Sequence, residues 1–191
     1  VTGFTTKHNV EASMALQAAQ QLAPWLRGPV DGVPEILVPV AHALQQTQEE
    51  LADFTDSFPD ELLWDGVAGL ASVGFHLRHI AGVVDRLFSY ARGAALTDEQ
   101  RQAHRNEGVA PEIPTTTAAL VQLVDAVIDR AIDQLRDTDP ATLTDVRLIG
   151  SKQLPSTVFG SLFHAAEHAQ RHVGQLLVTT RVLQERDQTR P

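Results

Sequence analysis

The chain contains no cysteine. Disulfide scaffolds, thiolate zinc sites and a protein thiol nucleophile are therefore excluded, and any metal must be held by nitrogen and oxygen ligands. No apolar run approaches the ~20 residues that a membrane-spanning helix needs. The opening VTGFTTKHNVEASMALQ lacks the uninterrupted apolar stretch of a secretory signal. Both absences lead us to expect a cytoplasmic protein with no membrane partner. Basic residues are few: 15 Lys and Arg stand against 24 Asp and Glu, a net charge of −9. They are scattered, and phosphate backbones are bound by clustered cations, so nucleic acid is not an expected partner. A glycine-rich phosphate loop and a G-x-S-x-G nucleophile elbow are also missing. So are internal repeats and low-complexity tracts.

What remains is helical periodicity. The 191 residues are 43% hydrophobic and 20% charged, an ordinary globular balance and enough chain for one substantial core. β-Branched runs of alternating polarity are scarce. Residues 1–33 read as an N-terminal extension with a short helix over 10–26, ended by Gly28-Pro29 and Gly32-Val33-Pro34. Residues 34–191 read as one all-α domain. Its first predicted helix, 34–57, carries Ile36, Leu37, Val40, Leu44, Leu51 and Phe54 at helical spacing. A loop holding Trp64 and the Asp65-Gly66 turn precedes the second, 70–92. That helix aligns Leu70, Val73, Leu77, Ile80, Val84, Leu87 and Ala91 and stops at Gly93.

Thr97-Asp98-Glu99-Gln100 has capping-box spacing and predicts a brief helix to about 106, followed by loop to Pro114. The third long helix opens at Thr115-Thr116-Thr117 and runs to about Arg136, with Leu120, Leu123, Val124, Val127, Ile128 and Leu135 inward. Residues 141–154 are the one stretch suited to extended structure, with a turn at Gly150. The fourth long helix starts after Pro155, capped by Ser156 or Thr157, and reaches about Glu185 before a frayed DQTRP tail. Four long amphipathic helices with one lengthy connection point to a four-helix bundle.

The histidines carry the functional signal. Five of the eight fall in two short segments: His76 and His79 in FHLRHIAG, and His164, His168 and His172 in HAAEHAQRHVGQL. Residues four apart on a helix share a face, and imidazole is the commonest protein metal ligand. On a helical wheel, Phe159, Leu162, Phe163, Ala166, Ala169, Val173, Leu176 and Leu177 define the core direction of the fourth helix. His172 lies roughly 80° from that direction, His168 about 120° and His164 about 160°. His168 and His172 are thus the better-placed pair. On the second helix His76 lies inside the apolar face and His79 on its shoulder, about 110° off. Either suits a third ligand, and periodicity leaves the choice open.

Two neighbouring motifs fail. His164-Ala-Ala-Glu167-His168 matches the H-x-x-E-H of inverted zinc proteases. Those enzymes need a further carboxylate well downstream, where little chain follows, and Glu167 falls on the face opposite the core, as a solvated glutamate would. A di-iron carboxylate bundle needs Glu-x-x-His pairs, which these histidines lack. Gln175, close to the histidine face, is a solvated residue or an orienter of a ligand. Arg86, near the face of His79, reads as a surface arginine that would otherwise meet an anionic substrate. Trp64 and Tyr90 read as core.

Two stretches resemble the DinB-like family (DNA-damage-inducible protein B) of metal-binding four-helix bundles. These are SVGFHLRHIAGVVDRLFSYARG, residues 72–93, and LFHAAEHAQRHVGQLL, residues 162–177, whose histidine pair closes with His-x-Gly-Gln. With helix lengths and order, the resemblance spans about residues 34–185. It implies an up-down-down-up bundle and a homodimer, for which late positions such as Val178 and Val182 offer exposed apolar side chains. It places the family's metal triad on His79, His168 and His172, choosing His79 by analogy and leaving His76 and His164 accessory. The implied cofactor is a divalent metal, zinc or nickel.

Some members of the family resemble thiol S-transferases that use bacillithiol or mycothiol, and others resemble a mycothiol-dependent maleylpyruvate isomerase. The expected function is therefore a metal-dependent transferase that activates a small-molecule thiol toward an electrophilic substrate. With no cysteine, the nucleophile would have to be external. The alternatives are a metal-dependent hydrolase, which would need a general base that no glutamate clearly supplies on the histidine face, and a non-catalytic metal-binding stress protein.

Overall fold

Side-chain caps fix where the helices begin. In the computed structural model, which describes residues 22–189, four hydroxyls each accept a hydrogen bond from the first exposed backbone N–H groups of a helix. Helix α1 (Val38–Thr55) follows a single 3₁₀ turn, Glu35–Leu37, which uses the first residues of the predicted segment. Helix α2 (Val73–Ala91) is capped by Ser72 Oγ, 3.2 Å from Phe75 N. Helix α3 (Asp98–Arg105) carries the full capping box of Thr97 and Gln100. Helix α4 (Thr117–Asp137) is capped by Thr116, and helix α5 (Val158–Gln188) by Thr157.

The extended stretch is a β-hairpin. Strand β1 (Val146–Ile149) pairs antiparallel with β2 (Leu154–Thr157), in register from Val146 opposite Thr157 to Ile149 opposite Leu154. Gly150 makes the turn at φ +68°, a conformation that costs glycine nothing. β2 includes Pro155 and Ser156, so it passes through the predicted helix start and hands the chain to α5 at Thr157. Two backbone bonds lock that handover, Val158 N to Asp145 O at 3.0 Å and Phe159 N to Leu143 O at 3.0 Å.

The bundle core comes from all four long helices. Leu44 and Leu51 of α1, Leu77 and Ile80 of α2, Ile128 and Leu135 of α4, and Leu162 and Leu176 of α5 are fully buried. α5 packs between α1 and α2, and α4 packs between the same two on the opposite side, so α1 and α2 occupy one diagonal of the bundle and α4 and α5 the other. That arrangement lays the histidine stripes of α2 and α5 against each other. Gly74 permits a close approach at the head of α2: a Cβ there would stand 2.9 Å from the Trp64 ring. Trp64 therefore clamps the 56–72 loop onto the helix, with the Arg78 guanidinium 4.8 Å above its ring.

Several positions depart from the expected pattern. Ile36, Leu70, Leu123, Phe159 and Phe163 are exposed, not inward. Leu70 precedes the true start of α2, and Ile36 lies in the 3₁₀ turn, where the α-helical wheel does not apply. Phe159 and Phe163 lie on the side of α5 away from the histidines, so leaving them out turns the mean core direction toward His172 and His168. Asp187 and Gln188 continue α5 and are not frayed. Most of the predicted 10–26 helix lies outside the described residues. The part within them forms a 3₁₀ turn, Pro24–Leu26, and Arg27 ties that segment to Glu49 of α1.

Candidate metal centre

Three imidazoles meet where α2 crosses α5. His79 Nε2 lies 2.9 Å from His168 Nε2, which lies 3.1 Å from His172 Nε2. One ring nitrogen from each of the three falls within 4.8 Å of the others, a grouping able to hold a metal ion. Metal–nitrogen bonds of about 2.0–2.1 Å at tetrahedral angles hold their nitrogens about 3.3 Å apart, so the observed spacing is only slightly tighter. The proton count also fits a cation. A neutral imidazole has one bare nitrogen and one N–H. His79 Nδ1 faces a carboxylate at 2.7 Å and so carries its proton there, leaving Nε2 bare toward the other two rings. His172 Nδ1 lies 3.0 Å from His76 Nδ1, and a His172 proton placed on that bond would likewise bare its Nε2. Bare nitrogens turned on one another repel unless a cation or proton sits among them.

The surroundings disfavour charge on His76, His168 and His172. Burial, reinforced by the charge of His79, pushes His76 down to about 4. Burial followed by repulsion from the other histidines pushes His172 down to about 3 and lowers His168 as well. Neutral imidazole is the ligating form, so the lowered values of His168 and His172 suit a ligand role. His168 Nδ1 is buried with no hydrogen-bond partner. Phe75 stacks on His79, ring centroids 5.1 Å apart and planes within 12°, and limits how that imidazole can turn.

The other singled-out residues take distinct places. His76 is 4% exposed, as a core-facing residue should be, and its bond to His172 gives it an orienting position. His164 is exposed and pairs with Glu167 at 3.3 Å, pointing away from the core as the wheel indicates. Glu167 is not simply solvated, since it bonds both His164 and Arg171. With His168 these two form a second, more open group able to hold a metal. Gln175 is exposed at the lip of a groove of about 490 Å³ beside His76, and among the described residues no hydrogen bond joins it to His172.

Two expectations need correction. Arg86 is not a surface residue: it is 8% exposed and donates from Nη1 to Glu107 Oε1 at 2.6 Å. A glutamate does reach the histidine cluster, and it comes from the loop after α3. Glu107 is 4% exposed and accepts from His79 Nδ1. The capping box marked the helix that carries this loop, but a single glutamate among loop residues has no periodicity to betray its burial. Glu107 faces the outer nitrogen of His79 and Arg86, so it is committed to them and does not supply a general base to the centre of the cluster.

Comparison with known proteins agrees with this architecture. Among solved structures, the crystal structure of a conserved protein from Enterococcus faecalis superposes with a TM-score of 0.61 at 18% identity, covering 78% of this chain and 96% of that one. That likeness speaks for the fold alone. No curated protein matches the chain. No helix among the described residues is long and apolar enough to cross a membrane. The family model described as the DinB superfamily matches residues 43–176, a span that takes in α2, α3, α4, the hairpin and the histidine stripe of α5. The chain belongs to the DinB superfamily.

Proposed function

We propose that the protein binds a divalent metal, zinc or nickel, through His79, His168 and His172, and uses it to transfer a low-molecular-weight thiol of the bacillithiol or mycothiol type to an electrophile. The observation that carries this reading is the convergence of three imidazoles, with His168 Nε2 standing 2.9 Å from that of His79 and 3.1 Å from that of His172. Three neutral nitrogen ligands leave one position of a tetrahedral ion open, the arrangement of catalytic and not closed structural sites. A metal held there would lower the pKa of a bound thiol so that it is nucleophilic at neutral pH.

The chain's own residues hold and orient. His76 keeps the His172 ring turned inward, and Phe75 keeps His79 from rotating. The groove beside His76, walled by Leu70 and Ala71, offers an apolar surface for the electrophile, with Arg171 at its edge. With no cysteine in the chain, the sulfur comes from a small molecule. Hydrolysis is disfavoured because both carboxylates near the cluster are committed, Glu107 to His79 and Arg86 and Glu167 to His164 and Arg171. The reading includes a homodimer, with exposed Val178 on α5 as part of its contact surface.

The test is conjugation of a generic electrophile to a bacillithiol- or mycothiol-type thiol by metal-loaded protein, beside the chelated protein. Metal-dependent conjugation without hydrolysis supports the transferase. Bound metal with neither activity would replace it with a metal-binding protein, and metal-dependent hydrolysis alone would replace it with a hydrolase.

A further inference from the structure

One face of α2 reads His79, Gly82 and Arg86, and the loop after α3 lays Glu107 along it. Oε2 of Glu107 faces His79 Nδ1 at 2.7 Å and His104 Nδ1 at 3.2 Å, while Oε1 faces Arg86 Nη1 at 2.6 Å. Burial alone would raise the pKa of this carboxyl, but the bonds from His79 and Arg86 outweigh burial and hold it below its ordinary value. Gly82 makes the approach possible. A Cβ there would meet both Arg86 Nη1 and Glu107 Oε1 at 2.5 Å.

The loop is pinned from beside the site. Arg78, next to His79 in sequence, donates from Nη1 to Asn106 O at 3.1 Å and to Val109 O at 2.8 Å. At the other end of α3, Gln100 donates to Asp85 at 2.7 Å and to Ser89 at 2.9 Å. None of the residues of α3 itself is buried. The segment therefore contributes little apolar core, and its buried element is one carboxylate aimed at a histidine.

We propose that Glu107, anchored by Arg86 in the space that Gly82 leaves, is the positioning residue of the three-histidine site: it fixes the proton of His79 on Nδ1 and so keeps Nε2 bare toward His168 and His172. This rests on the metal-binding reading above. A carboxylate behind a ligating imidazole sets both its tautomer and its orientation and raises its basicity, and loss of such a partner typically weakens metal binding about 10- to 100-fold. Free imidazole side chains favour the proton on Nε2 in water, so the Nδ1–H form needs an acceptor such as this one.

Glu107→Gln makes the inference testable with little change of shape. Arg86 can only donate, so the glutamine must turn its carbonyl toward Arg86 and its NH₂ toward His79 Nδ1. That reverses the tautomer and points N–H from His79 Nε2 into the cluster. Nitrogen-15 NMR of the metal-free protein reads the tautomer, and competition against a chromogenic chelator reads zinc affinity. The expected results are an Nδ1–H His79 in the unaltered protein, an Nε2–H His79 in Glu107→Gln, and zinc affinity lower by about 10-fold or more in the variant. A merely structural role for Glu107 would lower the melting temperature without changing the tautomer.

Should Glu107→Gln fail to fold, Gly82→Ala asks the same question. Alanine is the better helix former, yet here it should weaken zinc binding by displacing the Arg86–Glu107 pair. An unaltered protein with His79 protonated on Nε2, or equal zinc affinity in the unaltered and variant proteins, overturns the inference. An unaltered protein that binds no zinc overturns the metal reading instead, and the tautomer measurement still decides whether Glu107 sets the proton of His79.

Discussion

Acid should loosen the metal-free protein well before its carboxylates titrate. His76 is buried and neutral, and its pKa falls from 6.5 to about 4, from burial first and then from the charge of His79. The folded value lies below the unfolded one, so the unfolded chain binds the proton more readily. The stabilisation is complete above about pH 6.5 and is lost as the pH falls toward 4. The full shift corresponds to about 3 kcal/mol, of which about 2 kcal/mol should be gone by pH 5. His172, pushed down to about 3, adds to the loss in the same direction. It is less buried than His76, so solvent reduces its share.

Domains are stable by only about 5–15 kcal/mol, so a loss of this size is easily measured. Urea denaturation of chelator-treated protein, followed by circular dichroism at pH 7.5 and pH 5, should show the midpoint falling by about 1 M or more, given slopes of about 1–3 kcal/mol per molar. His76→Leu should lose part of that pH dependence. A midpoint unchanged between the two pH values would refute the assignment of buried, neutral histidines.

Three further outcomes follow from the packing. Gly74→Ala drives a methyl into the Trp64 ring, at 2.9 Å before relaxation, and should cost about 1–3 kcal/mol in urea denaturation; an unchanged midpoint would mean that Trp64 does not clamp the loop. Light scattering at micromolar concentration should give twice the 20.8 kDa chain mass, and Val178→Glu should shift it toward the single chain; only the single-chain mass for the unaltered protein would exclude the dimer. Because His76 orients His172 without joining the three-nitrogen cluster, His76→Ala should lower the thermal midpoint more than the metal content measured by elemental analysis; the reverse ranking would make His76 a ligand.

The bundle was legible because its determinants are periodic. Leu44, Leu51, Leu77, Ile80, Ile128 and Leu162 recur at helical spacing and are all fully buried. Local cap chemistry at Thr97 likewise marked the start of α3 to the residue, and narrowed the start of α5 to Ser156 or Thr157, of which Thr157 is the cap. Leu70 and Ile36 misled because apolar character continues past the ends of a helix, where the wheel has no meaning. Phe159 and Phe163 stack on each other on the surface of α5, at 6.1 Å between centroids, a pairing that periodicity counts as core. The wheel left His76 and His79 undecided because a ring inside the apolar face and a ring on its shoulder can both reach a neighbouring helix. They differ in which partner each meets, His172 Nδ1 for one and His168 Nε2 for the other, and that depends on how α2 crosses α5. Glu107 was invisible for a similar reason: its burial comes from Gly82, Arg78 and Arg86, on a helix that precedes it in the chain.

Metal content is the most direct test of the central claim that His79, His168 and His172 hold a divalent ion. The unaltered protein and the variants His79→Ala, His168→Ala, His172→Ala and His164→Ala would be loaded with zinc or nickel, desalted and analysed for metal. A three-ligand site loses its chelate when any member is missing, so about one ion per chain is expected in the unaltered protein and in His164→Ala, with most of it gone in the other three. Loss of metal from His164→Ala with retention in His172→Ala would contradict the account and move the site to the His164, Glu167 and His168 group.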